Sequence, residues 1–184
     1  MRSQIWWDTA RAGGIVAWAL ASAAVITGLQ QSTRLARWPT PSWVLAVHRY
    51  LGALAVVFTG VHLVGLVADT FIGFGPGDLL VPFVSTYRPT AVALGVVAMY
   101  LLVAVEVSSL AMKRLPRRLW RGIHFSSFLI FAFATIHGLA AGTDGGNVMF
   151  RIACFVVTAI VMFMTLVRVL APNRSERAPS TTSA

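Results

Sequence analysis

Residues 41–68 read PSWVLAVHRYLGALAVVFTGVHLVGLVA, a 28-residue apolar run interrupted by one charge, Arg49, and two histidines, His48 and His62. As a helix this run would rise about 42 Å at 1.5 Å per residue. That exceeds the roughly 30 Å hydrocarbon thickness of a bilayer. A chain in hydrocarbon must satisfy its own backbone hydrogen bonds, which a helix does. The stretch is therefore expected to cross a membrane. Working outward, four further apolar blocks of similar character occupy 12–29, 90–112, 119–141 and 148–170. The composition agrees: 57% of the 184 residues are hydrophobic and 11% charged, against about 25% charged in soluble domains. The expected fold is an all-α integral membrane helical bundle of five transmembrane helices filling 1–170. Residues 171–184, rich in Ser and Thr with two prolines, are expected to form a disordered cytoplasmic tail.

The net charge of +9 does not imply nucleic acid, because the arginines cluster at the ends of apolar blocks instead of along one face. Cys154 is the single cysteine and lies inside an apolar block, which excludes an internal disulfide and a C-x-x-C-H haem attachment. Arg2 and Arg11 before an apolar stretch containing Ala21-Ser22-Ala23 resemble a signal peptide. The apolar run continues to Leu29, which favours a retained helix.

Lys and Arg set the orientation. One side would hold Arg34, Arg37, Arg49, Lys113, Arg114, Arg117, Arg118, Arg121, Arg168, Arg174 and Arg177; the other would hold Arg2, Arg11, Arg88 and Arg151. Eleven against four places the N-terminus outside and the C-terminus in the cytoplasm of a cell inner (plasma) membrane. Trp38, Trp43 and Trp120 fall where an inner aromatic belt is expected. The second and fourth spans then run in parallel, from cytoplasm to outside.

All four histidines, His48, His62, His124 and His137, fall inside predicted spans. Polar titratable groups in hydrocarbon are costly and are functional candidates by default. A lone transmembrane histidine often only bonds a neighbouring helix, but two pairs of similar spacing call for more. His48 and His62 stand 14 residues apart and His124 and His137 stand 13 apart, roughly 20 Å along a helix in each case. Parallel helices bring His48 level with His124 on the inner side and His62 level with His137 on the outer side. Two imidazoles approaching from opposite sides suit a flat six-coordinate haem iron. The spacing of 13 falls roughly 140° short of four full turns on an ideal helix. A bend or bulge is therefore expected between Ser126 and Thr135, where Ser126, Ser127 and Thr135 can take up freed backbone groups.

The spacings H-x13-H and H-x12-H resemble the haem-binding helices of the ferric reductase-like transmembrane domain superfamily. That superfamily includes NADPH oxidases, ferric reductases and the haem subunit of the methionine sulfoxide reductase system. The stretches His48-Arg49-Tyr50-Leu51-Gly52, Trp120-Arg121-Gly122-Ile123-His124 and His137-Gly138-Leu139-Ala140-Ala141-Gly142-Thr143-Asp144 carry the likeness over about 43–170. The resemblance implies two haem b groups, with His48 and His124 as ligands of the inner iron and His62 and His137 as ligands of the outer. It also implies the haem-containing membrane subunit of an oxidoreductase. Larger members add a sixth span and a cytoplasmic flavin and NAD(P)H domain. With five spans and no dinucleotide fingerprint here, the chain is expected not to take hydride from NAD(P)H by itself.

Several residues admit two readings. Arg49 and Arg121, with Arg117 and Arg118 as alternates, either pair with haem propionates or only set orientation. Gly52, Gly60, Gly65, Gly122 and Gly138 either admit a porphyrin or pack helices. Glu106, the one acidic residue within a span, either relays protons or accepts a histidine N–H, or snorkels toward the inner interface, which is the favoured reading. The loop 69–89, with Phe71, Phe74, Phe83 and Tyr87, caps the outer site, docks a partner or rests on the membrane. Phe125, Phe128, Phe131 and Phe133 are assigned to core packing.

The expected function is transmembrane electron transfer by a di-haem cytochrome b. The donor would be a cytoplasmic flavin reductase or a quinol, and the acceptor an extracytoplasmic reductase, ferric iron or oxygen. The lipid bilayer is the surrounding partner, and no nucleic acid is expected. The alternatives are a haem-free transporter with a histidine-lined path and a haem-free assembly subunit. Five spans without an inverted repeat weigh against a transporter.

Overall fold

The computed structural model describes residues 2–33 and 41–170. Its elements are α1 (Arg2–Thr33), α2 (Pro41–Ala68), α3 (Pro76–Leu80), α4 (Pro89–Leu110), α5 (Arg117–Phe125), α6 (Ser127–Ala140) and α7 (Val148–Leu170), with a 3-10 turn at Thr143–Gly146. Five stretches are long and apolar enough to cross a membrane: Gln4–Ser32, Ser42–Ala68, Pro89–Leu110, Arg117–Ala141 and Val148–Leu170. The all-α, five-span architecture expected from the sequence is what forms, and α1 runs past both ends of the expected 12–29. The readings that concern Arg34, Arg37, Trp38, Arg174, Arg177 and the tail 171–184 lie outside the described residues.

Local chemistry fixes the helix ends. Pro76 and Pro89 open α3 and α4, where a missing N–H costs nothing because no intrahelical acceptor exists there. Arg88, just before Pro89, takes the left-handed conformation at φ 43°, an unusual geometry for a non-glycine residue. Its side chain is tied down, with the guanidinium bonded to the Ala140 carbonyl and lying over the Tyr87 ring.

α1 is the central element. It lies along α2 and also touches α6 and α7, while α4 packs along α6. Buried Leu29, Phe131 and Val161, from α1, α6 and α7, form a core cluster with Val25, Ile26 and Phe128 packed against it. Close approach of α1 and α2 depends on glycine. A Cβ on Gly65 would fall 2.6 Å from the Ala10 nitrogen, and one on Gly13 would fall 2.9 Å from the His62 nitrogen. The bundle turns Val57, Val64, Val103, Phe155 and Phe163 outward. An apolar exterior of this extent would be a liability in water and suits a lipid boundary.

The fourth span is not one helix. It breaks at Ser126, between α5 and α6. The Ser126 N–H bonds back to Ile123 instead of to residue 122, a tightened 3-10 turn. The Ser126 hydroxyl donates to the same Ile123 carbonyl at 2.6 Å. The irregularity lies at the first residue of the window expected for it. Thr135, also expected to take up a backbone group, donates to Phe131 O at 2.7 Å and accepts from Trp18 Nε1 at 2.9 Å.

Candidate functional site: two histidine pairs

The break allows both histidines of the fourth span to reach α2. The rings of His48 and His124 stand 5.9 Å apart, centre to centre, with an angle of 66° between their planes. Those of His62 and His137 stand 6.3 Å apart at 83°. The two pairs are the cross-chain pairs that parallel spans demand.

Three of the four imidazoles are anchored in the same way. Nδ1 of His48 donates to Ala24 O at 2.8 Å, Nδ1 of His62 to Ala10 O at 2.6 Å, and Nδ1 of His137 to Ala91 O at 2.8 Å. A carbonyl oxygen only accepts, so Nδ1 must carry the proton in each ring. The neutral imidazole then keeps its lone pair on Nε2, the state a metal requires. A metal ion about 2.1 Å from each of two opposed imidazole nitrogens separates the ring centres by about 6.5 Å. The His62–His137 pair comes close to that separation and the His48–His124 pair is about half an ångström inside it, so the residues present would fit an iron held between axial histidines after a small opening of the second pair. His124 differs. Its Nδ1 and the Nε1 of Trp120 are both buried without a hydrogen-bond partner among the described residues. The two rings stack instead, 5.0 Å apart at 23°.

The outer pair opens onto an apolar cavity. Helices α1, α2, α4 and α6 line it through residues such as Gly14, Trp18, Met99 and Ala134, and the outer loop closes it with Phe74, Leu79 and Tyr87. Loop 69–89 therefore contributes part of the wall beside the His62–His137 pair. Tyr87 donates to Ala141 O at 3.1 Å, and Tyr100 on α4 donates to Leu80 O at 2.7 Å. Beside the cavity, the Arg11 guanidinium grips both carboxylate oxygens of buried Asp144. This fork joins α1 to the 3-10 turn ahead of α7 and is the strong bidentate form of ion pair.

Other candidates fall elsewhere. Arg49, Arg117, Arg118 and Arg121 are all exposed, and no described carboxylate pairs with them. Glu106 does not reach for the interface, as favoured above. It is half-buried, and its carboxylate lies where a Cβ on Gly52 would sit. The reason is steric: a bare glycine backbone on α2 leaves a slot that a long α4 side chain fills. Gly60 and Gly122 face open space, Gly65 packs against α1, and Gly138 faces the Phe150 ring. Phe131 is core, whereas Phe125 is nearly half exposed beneath the Arg168 guanidinium. Sequence reading missed Arg11, Asp144 and the acceptor carbonyls of Ala10, Ala24 and Ala91.

Residues 13–135, more than half of the chain, match the family described as ferric reductase like transmembrane component. The chain belongs to this family. The match begins about 30 residues before the stretch that carried the resemblance in sequence and takes in most of α1 together with His48, His62 and His124. It ends two residues short of His137. No curated protein and no solved structure matches the chain. Ferric reductase-like membership points to electron transfer across the membrane in which the five apolar helices sit.

Proposed function

We propose that the chain is a di-haem b-type cytochrome that carries electrons across the plasma membrane, with His48 and His124 on the inner iron and His62 and His137 on the outer. The observation that carries this reading is the pair of cross-helix histidine contacts at 5.9 and 6.3 Å. Haem iron supplies a one-electron carrier at each level. The chain supplies the rest. Backbone carbonyls hold the Nδ1 protons and turn Nε2 toward the metal position. The 14-residue step along α2 spaces the levels by roughly 21 Å between histidine Cα atoms, and the apolar helices exclude water between them.

The excess of Lys and Arg beside the His48–His124 end puts that end in the cytoplasm, so electrons enter there. A flavin reductase or a quinol is the donor. The acceptor outside is ferric iron, as the family's description suggests, or a partner reductase or oxygen. The test is a pyridine haemochromogen assay on purified protein, with reduced-minus-oxidised spectra. About two haems per chain are expected, falling by about half in His62→Ala with the fold retained. Protein produced with ample haem that carries none would overturn the proposal.

A further inference from the structure

The three anchored histidines share one device. The carbonyls that receive them belong to Ala10, Ala24 and Ala91, and four residues beyond each stands a glycine: Gly14, Gly28 and Gly95. In each case the imidazole lies against that glycine. A Cβ would fall 2.9 Å from His62 Nδ1 at Gly14, 3.3 Å from His48 Cε1 at Gly28, and 2.6 Å from His137 Nδ1 at Gly95.

The spacing has a physical cause. Helical side chains lean toward the N-terminus, so the residue at i+4 covers the turn in which carbonyl i sits. That carbonyl already accepts the N–H of residue i+4, and its second lone pair stays free. Removing the side chain at i+4 uncovers this lone pair to a partner from outside the helix. α4 has no glycine after Gly95, and His124, which packs at that end of the bundle, is the ring without an acceptor among the described residues.

We propose that Gly14, Gly28 and Gly95 are positioning residues that open three histidine seats of the form Ala-x-x-x-Gly. The inference rests on the reading of the histidine pairs as haem ligands. Each seat fixes the Nδ1–H tautomer and the ring direction and makes the ligand more basic. The outer level is held by two seats. The inner level is held by one, with His124 stacked on the Trp120 ring.

The test begins without haem. The full chain, labelled with 15N-histidine in detergent, shows three rings of four as Nδ1–H tautomers, and Gly95→Ala shifts one of them. With haem supplied, Gly14→Ala and Gly95→Ala weaken haem retention at the outer level about 10- to 100-fold and change that haem's electron paramagnetic resonance signal, leaving the inner signal in place. Gly28→Ala acts on the inner signal alone. Gly146→Ala, on the 3-10 turn where a Cβ meets open space away from both histidine levels, leaves ring tautomers and haem signals as in the unaltered chain. Rings of the unaltered chain that prefer the Nε2–H tautomer overturn the seats, even if the glycine variants fail to fold. Haem signals unmoved in Gly14→Ala and Gly95→Ala overturn them too. Three Nδ1–H rings in a chain that never binds haem support the seats and remove the electron-transfer reading instead.

Discussion

The two histidine levels are built from the same residue types and are nonetheless held differently. At the outer level both rings donate to backbone carbonyls, an apolar cavity adjoins them, and a loop and an ion pair close the end. At the inner level one ring donates to Ala24, the other stacks on Trp120, and the neighbouring arginines are exposed. A hydrogen bond to a carbonyl fixes both the tautomer and the direction of an imidazole, whereas stacking fixes only its plane. The difference teaches that equal ligand sets need not give equal sites. The outer level has two carbonyl-anchored rings beside an apolar cavity, and the inner has one anchored ring and one stacked ring.

The comparison can be broken most directly at the ligands. His137→Ala should abolish the outer haem spectrum and spare the inner, and His124→Ala should do the opposite. Low-temperature difference spectra that resolve the two haems check this, and a loss of both signals in either variant would mean the levels are not independent. A smaller effect is expected at Trp120. Replacing Trp120 by Leu removes a stacked contact worth about 1 kcal/mol, so inner haem should dissociate roughly five-fold faster, as followed by transfer to apomyoglobin. Outer haem should be unaffected.

Asp144→Asn would sharpen the comparison at the other end. It discharges the fork with Arg11, and because the arginine side chain is 45% exposed the loss is held to about 1 kcal/mol. The melting temperature should fall by a few degrees, with outer haem released first. Tyr87→Phe is the mildest. It removes one hydroxyl donor to Ala141, about 1 kcal/mol or less, and should show as faster hydrogen exchange in loop 69–89 with both haem spectra intact.

Much of this was legible in the sequence, because the bilayer imposes length and apolarity on each span and hydrocarbon makes every histidine conspicuous. His48 and His62 share a face by simple helix geometry, and the awkward spacing of His124 and His137 required a break, which Ser126 supplies. What stayed hidden depends on contacts between residues far apart in the chain. Arg11 reads as an orientation charge until Asp144 lies beside it. Glu106 reads as an interfacial group until the missing side chain of Gly52 is seen opposite. Gly14, Gly28 and Gly95 look like ordinary helix-packing glycines, because the carbonyl each one uncovers leaves no mark in the sequence. The one available signal was numerical: Ala10 and Ala24 repeat on α1 at the same 14-residue interval as His48 and His62 on α2.

That interval makes α1 a ruler laid against α2. The helices are antiparallel, and the residue numbers of acceptor and histidine add to the same total for Ala10 with His62 and for Ala24 with His48. Deleting one residue between Gly14 and Ala24 would turn the second acceptor about 100° around the helix axis while the first stayed in place. Variation in chain length should therefore be excluded from the middle of α1 and collect beyond its ends.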